Sequence, residues 1–463
     1  MALIKSISGI RGTIGGVPGE GLGAIDIVKF TAAYGTFIMR EAGVDRGTVV
    51  VGRDARVTGG MVSSLVCGTL SALGLDVVNL GMATTPTTEI AVTEHHALGG
   101  IIITASHNPA QWNALKLLNA DGEFLNDRQG KEVIRIAEQE EISFADYTRV
   151  GQIYTDTTAL LSHIRKVLDL RLVDTKAIAG ANFTVAVDAV NSIGGVAVPM
   201  LLRALGVKNI IELNCAPTGK FSHNPEPLPE NLTEISEVMR REKADVGFVV
   251  DPDVDRLAII MENGECFVEE YTLVAVSDYV LANTPGNTVS NLSSSRALRD
   301  VTRAHGGEYN AAAVGEVNVV AKMKETGAII GGEGNGGVIY PELHYGRDAL
   351  AGIALFLSYM AKSGKRPTDM RRELPEYCIS KNKIQLDPAT DVDALLRKVK
   401  EHFAGEEVND IDGVKIDFPE SWVHLRKSNT EPIVRIYSEA ATVGEAEKLA
   451  EVISAAKSEA KRS

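Results

Sequence analysis

Short apolar runs bounded by glycine, each followed by a longer segment rich in small residues, set the rhythm of the first three quarters of the chain. Residues 48–51 and 76–80 read as strands, with a helix over 60–73 between them. The rhythm repeats as strand 183–188, helix 193–205, strand 209–212, helix 232–242 and strand 246–250. A third round runs through strand 288–292, helix 295–306 and strand 327–331. Strands separated by helices predict α/β sandwiches with mixed, largely parallel sheets. From about Tyr377 the pattern changes to strand 379–386, helix 392–403, a hairpin over 414–418 and 422–426, strand 433–437 and a closing helix over 443–461. That order predicts a small α+β domain on an antiparallel sheet. The expected organisation is three similar α/β sandwich domains, 1–152, 153–255 and 256–372, followed by an α+β domain, 373–463.

A length of 463 residues suits three or four such domains. With 44% hydrophobic and 23% charged residues the composition is that of a soluble globular protein. The net charge of −14 argues against nucleic acid as the main partner, since phosphate backbones recruit basic patches. It leaves room for small anionic substrates, which need only a local cluster of donors. Cys67, Cys215, Cys266 and Cys378 lie far apart with no Cys-x-x-Cys pair, so neither structural zinc nor a disulfide framework is expected. The amino terminus lacks the apolar stretch of a signal peptide and no run is long enough to span a membrane. A reducing cytoplasm is the expected setting.

Four segments carry candidate chemistry. Thr104-Ala105-Ser106-His107-Asn108-Pro109 follows the apolar run 99–103, which delivers Ser106 to the edge of a sheet, a position suited to a nucleophile or phosphate carrier. Asp251-Pro252-Asp253-Val254-Asp255-Arg256 ends the run 246–250, and its three carboxylates would face one side of an extended chain. Crowded anions of this kind require a cation, and hard oxygen donors select magnesium or calcium. An EF-hand is excluded, because Arg256 stands where the loop needs glycine and residues 257–261 form a strand. Gly332-Glu333-Gly334-Asn335-Gly336-Gly337 is followed by a strand rather than a helix, so it fails as a dinucleotide fingerprint. Glu333 and Asn335 instead suit sugar hydroxyls, with a tight structural turn as the alternative. The segment from Arg426 through Ser428, Asn429 and Thr430 to Arg435 concentrates guanidinium groups and small polar side chains, as an anion nest requires. Ser222-His223-Asn224-Pro225 repeats the serine tetrapeptide, yet it lies in a stretch with four prolines and no preceding strand, and reads as loop.

Taken in this order, the segments resemble the α-D-phosphohexomutase superfamily, whose members interconvert hexose 1-phosphates and 6-phosphates. The resemblance spans nearly the whole chain and implies four domains around a central cleft. It implies that Ser106 is carried as a phosphoserine, flanked by His107, and that Asp251, Asp253 and Asp255 bind one magnesium ion together with Ser106. It further implies that Arg11, Lys116 and Arg256 serve the phosphoryl group. Glu333 and Asn335 would read the sugar, and Arg426, Ser428, Asn429, Thr430 and Arg435 would hold the non-reacting phosphate. A hexose 1,6-bisphosphate is the implied intermediate and activator.

The chain also departs from the family pattern. Many relatives carry Gly-Glu-x-Ser-Gly-His in the sugar loop, whereas Asn335 replaces the serine here and Gly337 the histidine. His344 is then a candidate for the missing imidazole. The lysine usually follows Asn-Gly, but this chain reads Asn113-Ala114-Leu115-Lys116. The expected activity is a phosphohexomutase acting on glucosamine phosphate, with mannose or glucose phosphates as the alternative. A metal-dependent sugar phosphatase and a non-catalytic sugar-phosphate binder are more distant readings. The expected partner is a small sugar phosphate, with no nucleic acid or membrane, and the chain would act as a monomer or homodimer.

Overall fold

The computed structural model describes residues 2–6, 9–385, 391–427 and 433–460. Four sheets account for the strands. The first runs, in spatial order, Leu3–Ser6, Gly9–Thr13, Trp112–Leu118, Gly99–Ile103, Thr48–Arg53, Asp76–Met82 and Ile153–Thr155. The second orders Leu257–Met261, Val246–Val250, Thr184–Asp188 and Asn209–Leu213, and the third Tyr309–Ala312, Thr288–Asn291, Ile330–Glu333 and Gly337–Ile339. The last is wholly antiparallel: Cys378–Gln385, Ile433–Ala440, Trp422–Lys427, Val414–Asp417 and Glu407–Asn409.

One arrangement recurs in the first three sheets. Gly99–Ile103 pairs parallel with Thr48–Arg53 on one side and antiparallel with Trp112–Leu118 on the other. Val246–Val250 lies likewise between parallel Thr184–Asp188 and antiparallel Leu257–Met261. Ile330–Glu333 lies between parallel Thr288–Asn291 and antiparallel Gly337–Ile339. Each of the first three chemistry-bearing loops is therefore the return from a buried parallel strand into an antiparallel neighbour, at the carboxyl end of the parallel strand, where α/β sheets bind ligands.

Strand pairing reaches past two of the expected domain ends. Ile153–Thr155 joins the first sheet beside Asp76–Met82, and Leu257–Met261 belongs to the second. The motif Asp251 to Arg256 is a turn inside a sheet, so no boundary falls there. The first and last units have hydrophobic clusters of their own, whereas one cluster runs from Ile164 to Leu374 and joins the second and third. The helix Ala349–Ser363 explains this. Leu350, Ile353, Leu355 and Phe356 point in different directions and are all fully buried, so the helix is apolar all round. Phe356 meets Phe248 and Phe267 edge-on at 6.2 and 5.6 Å, contacts worth about 0.5–1.5 kcal/mol each beyond their burial. Among the described residues no helix is long and apolar enough to cross a membrane, and the four cysteines are unpaired.

Candidate active site

Ser106 stands just past the strand Gly99–Ile103 with a left-handed backbone (φ 47°) and is 8% exposed. Its position is fixed from the neighbouring strand. Asp54, just beyond Thr48–Arg53, accepts from Thr104 Oγ1 at 2.6 Å, and Thr104 Oγ1 accepts from the Ser106 amide at 2.9 Å. Arg56, wholly buried, donates to the carbonyls of Ser106 (2.5 Å), Asn108 (2.6 Å), Pro109 and Trp112 (2.9 Å each), and to Asp54 (3.1 Å). One planar guanidinium thus satisfies four carbonyls of the serine loop. The signal for it was present in Arg53-Asp54-Ala55-Arg56, charged residues directly after a buried strand, but sequence reasoning passed it over.

The serine hydroxyl donates to Asp251 Oδ2 at 2.7 Å, joining the first unit to the second. Asp251, Asp253 and Asp255 are fully buried and offer carboxylate oxygens within 4.8 Å of one another. They do not converge by strand alternation as the sequence suggested. The segment is a turn, and the fully buried Val254 takes φ 65°, an uncommon conformation for a β-branched residue and the kind of strain that gathers at functional sites. That turn folds the three carboxylates inward.

One oxygen is pinned and the other left bare on two of these aspartates. Asp253 Oδ2 accepts from Lys116 Nζ and Thr85 Oγ1, both at 2.6 Å, and Asp255 Oδ2 accepts from Arg347 at 2.6 Å. Asp253 Oδ1 and Asp255 Oδ1 are buried with no hydrogen-bond partner among the described residues. Burial and the charges of Asp255 and Asp253 raise the Asp251 pKa well above the carboxylate range. Burial pushes Asp255 in the same direction, but Arg347, Lys116 and Arg256 outweigh it and hold that carboxylate low. Bare, crowded, hard oxygen donors are what a magnesium ion fits.

Lys116 and Arg11 reach the same place along the sheet. Lys116 lies on Trp112–Leu118 opposite Ile102, and Arg11 lies on Gly9–Thr13 opposite Ala114. Burial opposes the Lys116 charge, but Asp253 and Asp255 keep the ammonium protonated above its usual range. Arg11, Ser106, His107, Lys116, Arg256, Glu333 and Arg347 all line one cavity of about 590 Å³, within the range of small-molecule sites. Arg256 Nε is buried with no hydrogen-bond partner among the described residues, as expected of a donor reserved for an anion. Burial and the nearby Arg256 press the His107 imidazole well below its usual pKa.

Glu333 faces the cavity with both oxygens engaged. Oε1 accepts from Asn291 at 2.8 Å and the Gly315 amide at 3.2 Å, while Oε2 accepts from Arg347 at 2.7 Å and Asn335 at 3.3 Å. Burial would raise its pKa, yet Arg347 and Asn291 hold it below the usual value. His344, the candidate for the missing imidazole, does not line the cavity; its ring bonds Asp348 at 3.1 Å and lies 3.4 Å from Glu89. Arg426 and Arg435 are cross-strand partners in the last sheet, a like-charge pairing that an anion would relieve. Arg426 lies 3.6 Å from Asp412, which accepts from the Val314 amide at the cavity rim. Ser428, Asn429 and Thr430 lie outside the described residues.

Four family models cover the chain in order: phosphoglucomutase/phosphomannomutase α/β/α domain I at residues 4–143, domain II at 161–264, domain III at 269–377 and the C-terminal domain at 383–456. The chain belongs to the phosphoglucomutase/phosphomannomutase family, within the α-D-phosphohexomutase superfamily. It is 36% identical to a phosphoglucomutase/phosphomannomutase of Thermococcus kodakarensis, over 93% of this chain and 94% of that one. A probable phosphoglucosamine mutase of Methanopyrus kandleri is 31% identical over 96% and 95%. Among solved structures, a phosphoglucomutase/phosphomannomutase family protein of Burkholderia thailandensis superposes with a TM-score of 0.84, at 28% identity, covering 99% of this chain and 98% of that one.

Proposed function

We propose that the protein is a magnesium-dependent phosphohexomutase with Ser106 as the phosphoryl carrier and glucosamine phosphate as its leading substrate. The observation that carries this reading is the Ser106 hydroxyl 2.7 Å from Asp251, beside two aspartates with bare oxygens, in a cavity lined by cationic side chains. Mannose and glucose phosphates are the alternative substrates, since the relatives include both kinds of mutase.

Phosphorylated Ser106 gives its phosphoryl group to the free hydroxyl of a bound hexose monophosphate. The P–O bond to Ser106 breaks as the bond to the sugar oxygen forms, and the hydroxyl proton leaves to a basic group in the cavity. The resulting 1,6-bisphosphate turns end for end, and Ser106 takes back the other phosphoryl group. Asp251, Asp253 and Asp255 would hold one magnesium ion, which when bound offsets negative charge as the phosphoryl group moves. Lys116, Arg11 and Arg256 surround that group with fixed positive charge. Glu333 and Asn335 orient the sugar hydroxyls, and Arg426 with Arg435 grips the distal phosphate. Grip by the last unit also excludes water, the competing acceptor. A phosphatase needs a placed water and no second phosphate grip, so the arginine pair favours the mutase. The setting proposed is the cytoplasm, as monomer or homodimer.

The test is turnover on glucosamine, mannose and glucose 1-phosphates with a bisphosphate activator, before and after chelation of magnesium, alongside intact-protein mass. We expect phosphate on Ser106, loss of activity on chelation and fastest turnover of the amino sugar. Isomerisation undiminished in Ser106→Ala would end the proposal.

A further inference from the structure

Arg347 touches both the aspartate turn and the sugar loop. Its Nη2 donates to Asp255 Oδ2 at 2.6 Å, its Nη1 to Glu333 Oε2 at 2.7 Å, and its Nε to Glu316 Oε2 at 3.0 Å, while its amide donates to Glu316 Oε1 at 3.0 Å. The three carboxylates come from the second sheet's turn, the third sheet's turn and the start of the helix Glu316–Thr326. Gly337 makes this possible: a Cβ there would collide with Arg347 Cδ, so the sugar loop gives up a side chain and the arginine enters from behind. The base of Arg347 is rigid. Its neighbour Asp348 caps the helix Ala349–Ser363 by accepting from the Leu350 and Ala351 amides, and its own amide donates to the Val338 carbonyl at 2.8 Å.

We propose that Arg347 is a positioning residue that couples cation binding to sugar-phosphate binding. By holding Asp255 Oδ2 it leaves Oδ1 bare for a cation that the three aspartates would hold, and by holding Glu333 Oε2 it fixes the carboxylate that would meet the sugar. Partners behind a ligand commonly change metal affinity by about 10–100-fold when altered. A group bound to both loops makes each ligand raise the affinity of the other, by linkage. The second half of this statement rests on the sugar-phosphate reading above; the first half does not.

The experiment uses the full chain carrying Ser106→Ala, which cannot turn over. Mn²⁺ is titrated alone, with free ion followed by electron paramagnetic resonance, and then with glucosamine, mannose or glucose 1-phosphate present. Arg347→Lys keeps the charge but loses the three-way fork; Gly337→Ala keeps every charge but displaces the arginine. Each variant should weaken Mn²⁺ about tenfold while remaining folded at the assay temperature, as circular dichroism would verify. The sugar phosphate that binds should tighten Mn²⁺ about fivefold or more in the parent and less than twofold in the variants. Mn²⁺ affinity within twofold of the parent in a folded variant, or coupling that persists there, overturns the proposal. If the parent binds Mn²⁺ but ignores all three sugar phosphates, the sugar-phosphate reading fails, and the Mn²⁺-only titration still decides the role of Arg347.

Discussion

Ser106-His107-Asn108-Pro109 and Ser222-His223-Asn224-Pro225 are the same four residues in two settings. The first copy leaves a fully buried strand and has its carbonyls gripped by Arg56, with the serine aimed at Asp251. The second lies on an irregular segment with its serine exposed. Its histidine bonds Asp188 at 3.2 Å, and Glu226 beside it reaches to within 4.0 Å of His107 and 3.8 Å of Arg256. Even the two imidazoles differ. Burial and Arg256 press His107 down, while Asp188 lifts His223 above its usual pKa against the pull of burial. Identical residues acquire chemistry only where the backbone is held and a partner waits.

The largest expected effect is the one that separates the two serines. Ser106→Ala should cut turnover of hexose phosphate by about 10⁴-fold or more, whereas Ser222→Ala should stay within about twofold. A loss of similar size at Ser222 would erase the distinction. Next comes the grip on the loop. Arg56→Lys keeps the charge but not the five-donor fork, so we expect about 3 kcal/mol lost in urea unfolding and turnover down about 100-fold. If Lys supports full activity, the carbonyl clamp is not what distinguishes the first loop.

Arg426→Ala should act more mildly, raising KM about tenfold and increasing hydrolysis of the phosphoenzyme, measured by phosphate release without sugar. An unchanged KM would remove the last unit from the site. The smallest effect concerns pH. Because the folded pKa of His223 is raised, its pairing with Asp188 contributes fully below the ordinary histidine value and is lost as pH rises through the folded value. Urea midpoints at pH 6 and 8 should therefore differ less in His223→Ala than in the parent, with the loss greater at pH 6.

The strand rhythm at 48–51, 183–188, 209–212 and 414–426 was legible because a buried strand needs an apolar run and a hairpin needs a polar break. Ser106, the three aspartates and Glu333 were legible because each closes such a run. Thr85, Glu316 and Arg347 were not. Each is remote in sequence from what it holds: Thr85 donates to an aspartate 168 positions away, and Arg347 to one 92 positions away. The place of His344 was open in the sequence for the same reason, since only the folded chain shows its ring bonded to Asp348 and away from the cavity.

The amino-acid order alone determined which segments are strands and which turns bear serine, carboxylate or guanidinium groups, because hydrophobic periodicity and turn chemistry act over a few residues. The tertiary structure decided which identical tetrapeptide meets an aspartate, which oxygens stay bare and which arginine fills the space beside Gly337. Those outcomes depend on contacts between separate sheets, whose spacing is set by packing across the whole chain rather than by any local pattern.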